Sequence, residues 1–384
     1  MKLIALLLVW LLLLPVLALW APLPIPSYQD FSVLYFSDAA LLNAIPLYDY
    51  PTQLDWVRAQ TRPDFEFHPY PYPPWYALVT LPVAFLPIEA AARLWFLLNL
   101  TMIAVSVWLL TPHWKVSARW FSILLAALFI PAFGLLVVGQ YSAPVLLGAA
   151  LFVWAAQRQS PWGLAISLVL MTFKPHIGLF LVLAGFGWLT LQRKHPFARQ
   201  AIGLTVALGL LLIAIGFLAD TRWPLTYLAS LLRYREIPGV QTCGLCASLP
   251  IGLMRLLTGQ TNTAQAAIVS IVLGAGLLGF VLWQFGSKLT APRLLMCLAI
   301  LFTLLVDPYL LNYDYILLLL PLIILTQQVR APFARLGLLI AYLLPWLALA
   351  FGRQGNPVLA LSALLVLVLL WHSEHAKSKS QEGV

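Results

Sequence analysis

Asp30 is the first acidic residue of a very apolar chain, and its position suits acid–base chemistry. It follows the first apolar run, residues 3–20, by about ten residues, which predicts a place just above a membrane surface. Partial desolvation near lipid would make its carboxylate a better general base. The alternative is an ordinary solvated loop carboxylate. Asp38 is a useful comparison, because we expect it to be a carboxylate of the same outer loop.

Lys174 lies between two apolar runs, in the sequence Thr172-Phe-Lys-Pro-His176. A cation within a membrane is costly, so a function is the default hypothesis for it. The alternative is that the long side chain of a lysine near a helix end reaches out to water. We favour function, because the positive-inside rule disfavours an idle lysine on the outer side of a membrane. An anionic phosphate is the natural partner of this point charge, and Arg233 and Arg235 could assist.

Further polar groups occur at the ends of apolar runs. Gln140 ends one run, where it could simply bond backbone carbonyls, while Asp307 and Asp314 place two carboxylates within eight residues. Paired carboxylates can share or relay protons. Tyr72 lies in a stretch of prolines and aromatic residues, 68–76, which favours a headgroup-level aromatic belt over a stacking platform for a sugar or prenyl chain.

Cys243-Gly-Leu-Cys246 is a Cys-x-x-Cys motif in a loop that we place outside the cytosol. The sequence offers no second pair and no nearby His to complete a zinc site, so a local disulfide is favoured, with a redox centre as the alternative. It also contains no phosphate-binding Gly-rich loop of the nucleotide-binding types and no His-Glu-x-x-His motif. We therefore expect neither a nucleotide-dependent active site nor a metal site.

The elements that must position these groups are membrane helices. Of the 384 residues, 62% are hydrophobic and only 9% are charged, far less charge than a water-facing surface needs. The apolar runs are long enough, at about 1.5 Å per residue, to cross a hydrocarbon core of about 30 Å. The net charge of +9 is scattered over short loops, which fits the positive-inside rule and excludes a nucleic-acid-binding patch.

We predict an all-α polytopic bundle of about twelve spans. They lie near residues 3–20, 92–110, 119–138, 141–157, 159–174, 175–191, 200–219, 265–285, 294–306, 313–328, 336–352 and 358–371. The first span is expected to be retained rather than cleaved as a signal peptide, because many spans follow it. The run from Pro74 to Pro87 is too short to span and is assigned to the outer leaflet. Residues 1–371 are predicted to form a single transmembrane domain, and 372–384 a disordered cytoplasmic tail.

The basic loops set the orientation of the bundle. Counting the spans places these loops on one side, which is cytoplasmic by the positive-inside rule. All acidic residues except Glu374 and Glu382 then fall on the outer side, in the loops 21–73 and 220–264 or at outer helix ends. We therefore expect these two outer loops to form the active face.

Several short motifs resemble, in their order and spacing, those of glycosyltransferase family 87. Members of this family are polyprenyl-phosphate-sugar-dependent, mannosyltransferase-like membrane proteins with an architecture of the GT-C type. The resemblance runs from about residue 3 to about residue 330. The motifs are Asp30-Phe, Ala39-Ala-Leu-Leu42, Tyr48-Asp49, Tyr72-Pro-Pro-Trp75, Leu81-Pro with Leu86-Pro87, Leu94-Trp95, Gly139-Gln140, Lys174-Pro175, and Asp307-Pro-Tyr309 with Tyr313-Asp314.

The resemblance implies an inverting transferase of the plasma or inner membrane that needs no cofactor. It would move a sugar, mannose or another hexose or pentose, from a polyprenyl phosphate carrier to an extracytoplasmic glycan or glycolipid acceptor. Asp30 matches the family's catalytic base, and Lys174 would stabilise the departing phosphate, with help from the arginines named above. The residues expected to position donor or acceptor are Asp38, Tyr72, Gln140, Tyr313 and Asp314.

The sequence departs from the family near the late span. Many members carry a Trp followed by His residues there, whereas this chain reads Asp307-Pro-Tyr-Leu-Leu-Asn-Tyr-Asp314, without His. The role of that His would pass to Asp314 or be absent. One competing interpretation is a transporter or flippase for lipid-linked sugars, although the sequence shows no two related halves. The other is a membrane scaffold, which has little need for Lys174 and the outer acids.

Overall fold

The computed structural model describes residues 2–20, 23, 25, 30–66, 68–234, 236–351 and 357–382. Within these ranges every regular element is helical and no strand occurs, which confirms the predicted all-α class. The α-helices are α1 (Lys2–Trp20), α2 (Asp30–Leu42), α3 (Tyr50–Gln60), α4 (Pro74–Thr80), α5 (Ile88–Leu110), α6 (Val116–Leu128), α7 (Ile130–Val138), α8 (Ala143–Gln157), α9 (Pro161–Met171), α10 (Pro175–Leu191), α11 (Pro196–Ala219), α12 (Trp223–Tyr234), α13 (Pro238–Thr242), α14 (Leu249–Thr258), α15 (Thr263–Phe285), α16 (Pro292–Val306), α17 (Leu319–Gln328), α18 (Pro332–Ala350) and α19 (Pro357–Glu382). Short 3₁₀ helices cover Leu81–Phe85, Gly286–Lys288 and Asn312–Leu318.

Proline and serine set many of the helix starts. Pro175, Pro292 and Pro332 each stand in the first turn of their helix, where a fixed φ is favourable and the missing N–H is not needed. The hydroxyl of Ser160 caps α9 by accepting a hydrogen bond from the N–H of Gly163. These local signals explain why several predicted boundaries lie within a few residues of the observed ones.

The chain is a helical membrane protein. Within the described ranges, five helices are long and apolar enough to cross a membrane: Ile88–Leu110, Pro196–Ala219, Thr263–Lys288, Pro332–Ala350 and Val358–Lys377. Helices α6 and α7 add a sixth if they count as one span, which bends by 66° between them. The shorter apolar helices have 10–17 residues, so at about 1.5 Å per residue they reach at most about 25 Å, short of the core thickness. The predicted number of about twelve spans is therefore not confirmed.

Helix α2 differs from its predicted setting. The sequence of Phe31 to Leu42 is weakly amphipathic and predicts a segment that could lie flat on the membrane interface, with one face exposed. Instead Phe31, Ser32, Val33 and Leu34 are all buried, although they point in different directions around the helix. The helix packs against α3, α4 and Leu81–Phe85. It is therefore an interior element.

Helix α19 extends through most of the segment predicted to be a disordered tail. It continues beyond the last apolar run to Glu382. One turn of this polar part carries an ion pair between Lys377 and Glu374, three positions apart, a spacing that supports a helix.

The chain divides into two compact units, and the single transmembrane domain over residues 1–371 stays a prediction. Unit 1 comprises Met1–Met102, Leu135–Tyr141 and Ala207–Ile237, and unit 2 comprises Ile103–Gly134, Ser142–Val206 and Pro238–Val384. Unit 1 contains α2 with its neighbours. In unit 2, α8 packs on α9, α10 on α16 and α18 on α19. Gly178 of α10 lies against the main-chain oxygen of Met171 and leaves no room for a Cβ atom.

Candidate active site

Asp30 is the first residue of α2, and groups from a distant part of the chain hold it in unit 1. The Nε2 of Gln140 donates a hydrogen bond to Oδ2 of Asp30, across a sequence separation of 110 residues. The Oε1 of Gln140 accepts from the N–H of Tyr141 (3.3 Å), which orients the amide. The Tyr141 hydroxyl donates to the main-chain oxygen of Asp30 (2.8 Å) and accepts from the N–H of Leu34 (3.1 Å). Asp30 is thus fixed at its carboxylate and its carbonyl while remaining half-exposed.

Gly139 brings Gln140 into this position. It has a φ of +75°, and it follows α7 in the left-handed conformation that glycine adopts without a steric penalty. A Cβ atom on Gly139 would lie 2.6 Å from the Cβ of Phe31, the residue after Asp30. The carbonyl of Gly139 accepts a hydrogen bond of 3.0 Å from Nε1 of Trp95. The end of α7 therefore lies directly against α2, with no space for a larger residue.

Asp38 lies two turns further along α2 and is completely buried. Neither of its carboxylate oxygens has a hydrogen-bond partner among the described residues. The hydroxyl of Thr80, the polar group that acts on it, donates instead to main-chain oxygens of its own helix. Burial raises the pKa of Asp38 well above its usual value, against a smaller lowering effect of Thr80, and so favours the protonated form. Asp38 is thus buried rather than facing water as expected, and its role in positioning donor or acceptor stays a prediction.

Tyr72 belongs to a buried cluster of tyrosines in unit 1 rather than to an exposed belt. Its ring centroid is 4.6 Å from that of Tyr141, 5.5 Å from that of Tyr70 and 5.7 Å from that of Tyr76. All three contacts are edge-to-face, the favourable arrangement for buried rings. The cluster therefore packs around the same Tyr141 that holds Asp30.

Lys174 forms a buried ion pair with Asp314 in unit 2. Its Nζ lies 2.5 Å from Oδ1 of Asp314, and the side chains are 3% and 1% exposed. The hydroxyl of Ser142 donates to the same Oδ1 (2.6 Å) and accepts from Nζ of Lys174 (3.1 Å). The Tyr313 ring centroid is 4.7 Å from Nζ, a cation–π contact. The sequence analysis expected the charge of Lys174 to face a phosphate, whereas here Asp314 neutralises it.

The two members of this pair and their partner Ser142 all stand at helix starts. Ser142 is the N-cap of α8 and Lys174 that of α10, each followed by a proline in the first turn. Asp314 lies in the first turn of Asn312–Leu318, where its Oδ2 accepts from the N–H of Leu311 (3.0 Å). Side chains at helix starts lie outside the helical hydrogen-bond ladder, and the positive end of the dipole favours the carboxylate. The local sequence thus places each of the three side chains at a helix start, and the packing of the helices brings them together.

His176 lies beside the pair. Its Nε2 is 3.9 Å from Oδ2 of Asp314, and its ring packs edge-on against Tyr309, with the centroids 5.9 Å apart. One third of its side chain is exposed, against 1% for Asp314. His176 is therefore the part of this cluster that solvent reaches most easily.

Asp307 and Asp314 do not share a hydrogen bond within the described part of the chain. The Oδ1 of Asp307 accepts from the N–H of Tyr309 (2.8 Å), closing the turn after α16, and its Oδ2 has no partner among the described residues. Burial raises the pKa of Asp307 to about 6, which outweighs the lowering effect of His176. The two carboxylates therefore have different environments, one paired with a cation and the other mainly desolvated.

A comparison with models of protein families finds that residues 70–308 match Glycosyltransferase family 87. The matched segment is more than half of the chain. The chain belongs to glycosyltransferase family 87. It is therefore a membrane glycosyltransferase, as the motifs predicted. Comparisons with curated proteins and with solved structures give no match.

The family 87 match covers only some of the site. Tyr72, Gln140 and Lys174 lie within the matched segment, whereas Asp30 and Asp314 lie outside it. Membership of family 87 therefore supports the reaction class without assigning the roles of these two acids.

The remaining predicted positions are less informative. Arg233 is exposed in the last turn of α12, and Arg235 lies outside the described residues. A disulfide joins Cys243 and Cys246, which confirms the favoured interpretation of that motif. Within the described ranges no three His, Cys, Asp or Glu side chains gather as a metal site.

Three polar residues were missed at the sequence level: Tyr141, which holds Asp30 in unit 1, and Ser142 and His176, which lie beside Lys174 and Asp314 in unit 2. Ser142 had a usable signal, because a serine shortly before a proline in an apolar run is a typical N-cap. His176 stands in the same motif as Lys174. Tyr141 had no signal beyond its place after Gln140, because its role depends on contact with α2.

Proposed function

We propose that this family 87 enzyme transfers a sugar from a polyprenyl phosphate to an extracytoplasmic glycan or glycolipid, with inversion at the anomeric carbon and with Asp30 as the general base. The sugar would be mannose or another hexose or pentose. Lys174, with Arg233 and Arg235, would interact with the donor phosphate.

The observation that carries the proposal is the way in which Asp30 is held. Gln140 and Tyr141 together fix its carboxylate and its carbonyl. Among the described residues, Oδ2 is the carboxylate oxygen that accepts a hydrogen bond, which leaves Oδ1 for an acceptor hydroxyl. A general base must lie within hydrogen-bond reach of the proton that it removes, and a fixed, half-exposed carboxylate meets this requirement.

The proposed step balances without a cofactor. The acceptor hydroxyl gives its proton to Asp30 while its oxygen forms a bond to the anomeric carbon. The bond from that carbon to the phosphate oxygen breaks, and the electron pair leaves with the lipid phosphate. The transition state resembles an oxocarbenium ion, as in inverting glycoside hydrolysis with an alcohol in place of water. A cation would stabilise the departing phosphate, which is the role proposed for Lys174.

The test compares Asp30→Asn with Asp38→Asn, using purified protein, labelled polyprenyl phosphate sugars and an acceptor extract. Asn keeps the size of the side chain and its hydrogen bonding but cannot accept the proton. Asp30→Asn should reduce transfer by at least about 10²-fold and leave donor binding unchanged. Asp38→Asn should retain most activity, because Asp38 is buried and its raised pKa favours the neutral form that Asn imitates. Near-normal transfer by Asp30→Asn would rule out the proposed base.

We also propose that the protein lies in the plasma or inner membrane, with the loops 21–73 and 220–264 outside the cytoplasm. The Cys243–Cys246 disulfide supports this orientation, because disulfides persist in oxidising compartments. Single cysteines at Asp55 and Lys194, both exposed, can be introduced into a Cys297→Ser background. A membrane-impermeant thiol reagent should label Asp55→Cys in intact cells, and Lys194→Cys only after permeabilisation. Labelling of both from the same side would refute the orientation.

A further inference from the structure

A cavity of about 460 Å³ lies in unit 2, between α6, α17 and α18. Its size falls within the range of about 300–1,000 Å³ that is usual for ligand pockets. Most of its lining consists of apolar side chains such as Leu319, Leu322, Ile323 and Leu338. None of the residues that we assign to sugar transfer lines it. The cavity therefore needs an explanation other than the proposed reaction.

Each hydroxyl group in the lining donates its hydrogen bond to a main-chain oxygen of the protein. Ser122 and Thr326 donate to main-chain oxygens of their own helices, at 2.9 Å and 2.7 Å. Tyr342 donates to the main-chain oxygen of Leu125, at 2.8 Å. A sugar or another polar ligand needs free donors and acceptors, and these hydroxyls offer no donor. A hydrocarbon chain, by contrast, needs only the apolar wall.

One end of the cavity is basic. Arg335, in the first turn of α18, lines it together with Trp114, which is followed by the exposed Lys115. A hydrogen bond of 2.9 Å from Nε2 of Gln327 to the main-chain oxygen of Leu110 joins the end of α17 to the end of α5. Leu110 stands five residues before Lys115 in the sequence. The cavity thus runs from an apolar interior to a helix end that carries cations.

The helices that line the cavity supply no carboxylate to these cations, and Glu374 of the adjacent α19 is paired with Lys377. The segments 111–138 and 315–350 contain no Asp or Glu. Arg119 is engaged elsewhere, since its guanidinium stacks on Trp108 at 3.3 Å and donates to the main-chain oxygen of that residue. Arg335, in contrast, is exposed and forms no ion pair with another described residue. A phosphate is a suitable partner for an arginine in this setting.

We propose that this cavity binds an anionic phospholipid, with an acyl chain against α6, α17 and α18 and the phosphate group against Arg335. The sequence places this basic end on the cytoplasmic side, where anionic lipids attract juxtamembrane cations. The phospholipid would stabilise the packing of these three helices and would not be a substrate. The inference does not depend on the proposed reaction.

The chain contains a matched control for the arginine. The tetrapeptide Pro-Phe-Ala-Arg begins α18 at Pro332–Arg335 and also begins α11 at Pro196–Arg199. Arg199 is likewise exposed near a helix start, but it does not line the cavity. Arg335→Gln and Arg199→Gln therefore remove the same charge from the same local sequence.

The experiment measures lipid binding to the full chain in detergent by native mass spectrometry and by the midpoint of thermal unfolding. Phosphatidylglycerol should bind with a stoichiometry of about one and raise the midpoint, whereas phosphatidylcholine with the same acyl chains should do neither. Arg335→Gln should weaken phosphatidylglycerol binding about tenfold, the effect of a lost charge contact, while Arg199→Gln should stay within about twofold of wild type. Ser122→Phe, which fills the cavity, should abolish the stabilisation although Arg335 is still present.

Three results would overturn the proposal. Equal binding of the two lipids would show that charge does not select the occupant. Equal losses in Arg335→Gln and Arg199→Gln would show nonspecific binding to surface cations. Displacement of phosphatidylglycerol by lower concentrations of a polyprenyl phosphate would show that the cavity belongs to the carrier lipid.

Discussion

Replacing Lys174 by Met should lower the free energy of unfolding by about 3–5 kcal/mol, the usual cost of removing one partner of a buried ion pair. The Nζ of Lys174 is 2.5 Å from Oδ1 of Asp314, and both side chains are almost fully buried. Without the lysine, the Asp314 carboxylate keeps the hydrogen bond from Ser142 but loses its counter-charge. Asp314→Asn should have a similar cost, because it leaves the ammonium group buried.

The double variant, Lys174→Met with Asp314→Asn, should be much more stable than the sum of the single changes implies. It contains no buried charge, and neutral replacements of similar volume are often close to neutral in stability. Asn can still accept the hydrogen bond from Ser142. The coupling energy between positions 174 and 314 should therefore be at least about 3 kcal/mol.

The assay is denaturant unfolding of the four proteins in mixed detergent micelles. The pair Arg62–Asp64 provides the control, because its side chains are 68% and 79% exposed. Surface pairs contribute little, so its coupling energy should be below about 0.5 kcal/mol. A coupling energy for Lys174 and Asp314 no larger than that of the control would refute the argument from burial.

The same double variant separates the structural role of Lys174 from its proposed role at the donor phosphate. If Lys174 only neutralises Asp314, the refolded double variant should bind donor and transfer sugar. If Lys174 also contacts the phosphate, the double variant should be stable but should bind donor more weakly, by about tenfold or more for a lost charge contact. The single Lys174→Ala substitution cannot make this distinction, because it changes stability and donor affinity together.

Two further predictions follow from unit 1 and unit 2. Gly139→Ala should destabilise the protein by about 2–4 kcal/mol and reduce transfer, because alanine is strained at this positive φ and its Cβ atom would clash with Phe31. The control is Gly134→Ala, which should do neither, because no atom lies within 4 Å of the new Cβ position. Asp307 has a raised pKa of about 6, so its contribution to stability should fall as the pH rises from about 4 through about 6, by up to about 3 kcal/mol. In unfolding measured at pH 4 and pH 8, Asp307→Asn should reduce the difference between the two pH values by about that amount, and the buried Asp38 should account for a remaining fall of the same sign.

The sequence predicted much of the helical framework because its signals are local. The apolar run 175–191 coincides with α10, and the proline before it marks the helix start. The run 119–138 was predicted as one span, but it breaks between α6 and α7. Nothing in its hydropathy indicates this break. The local cause is Pro131, in the first turn of α7, which cannot continue the hydrogen bonding of α6, so the chain changes direction at Phe129, the C-cap of α6.

Burial of the acids was the least predictable property. Asp30 and Asp38 stand eight positions apart in the same helix and were both assigned to an outer loop. In the structure the first is half-exposed and the second completely buried, because α2 is packed on several sides. Periodicity could not reveal this difference, since the helix carries apolar residues around its whole circumference. Only the packing partners of α2 decide which carboxylate meets water.

The pairing of polar side chains was harder to predict from the sequence than the helices were. Gln140 reaches Asp30 across 110 residues, and Lys174 reaches Asp314 across 140. Each member could be singled out alone, because a polar side chain at the end of an apolar run is costly unless it has a partner. The identity of the partner could not be read from the sequence, and it changes the chemistry. Lys174 considered alone is a free cation for a phosphate. Paired with Asp314 it is a neutral, rigid unit, so a donor phosphate that uses Lys174 must compete with Asp314 for the same ammonium group.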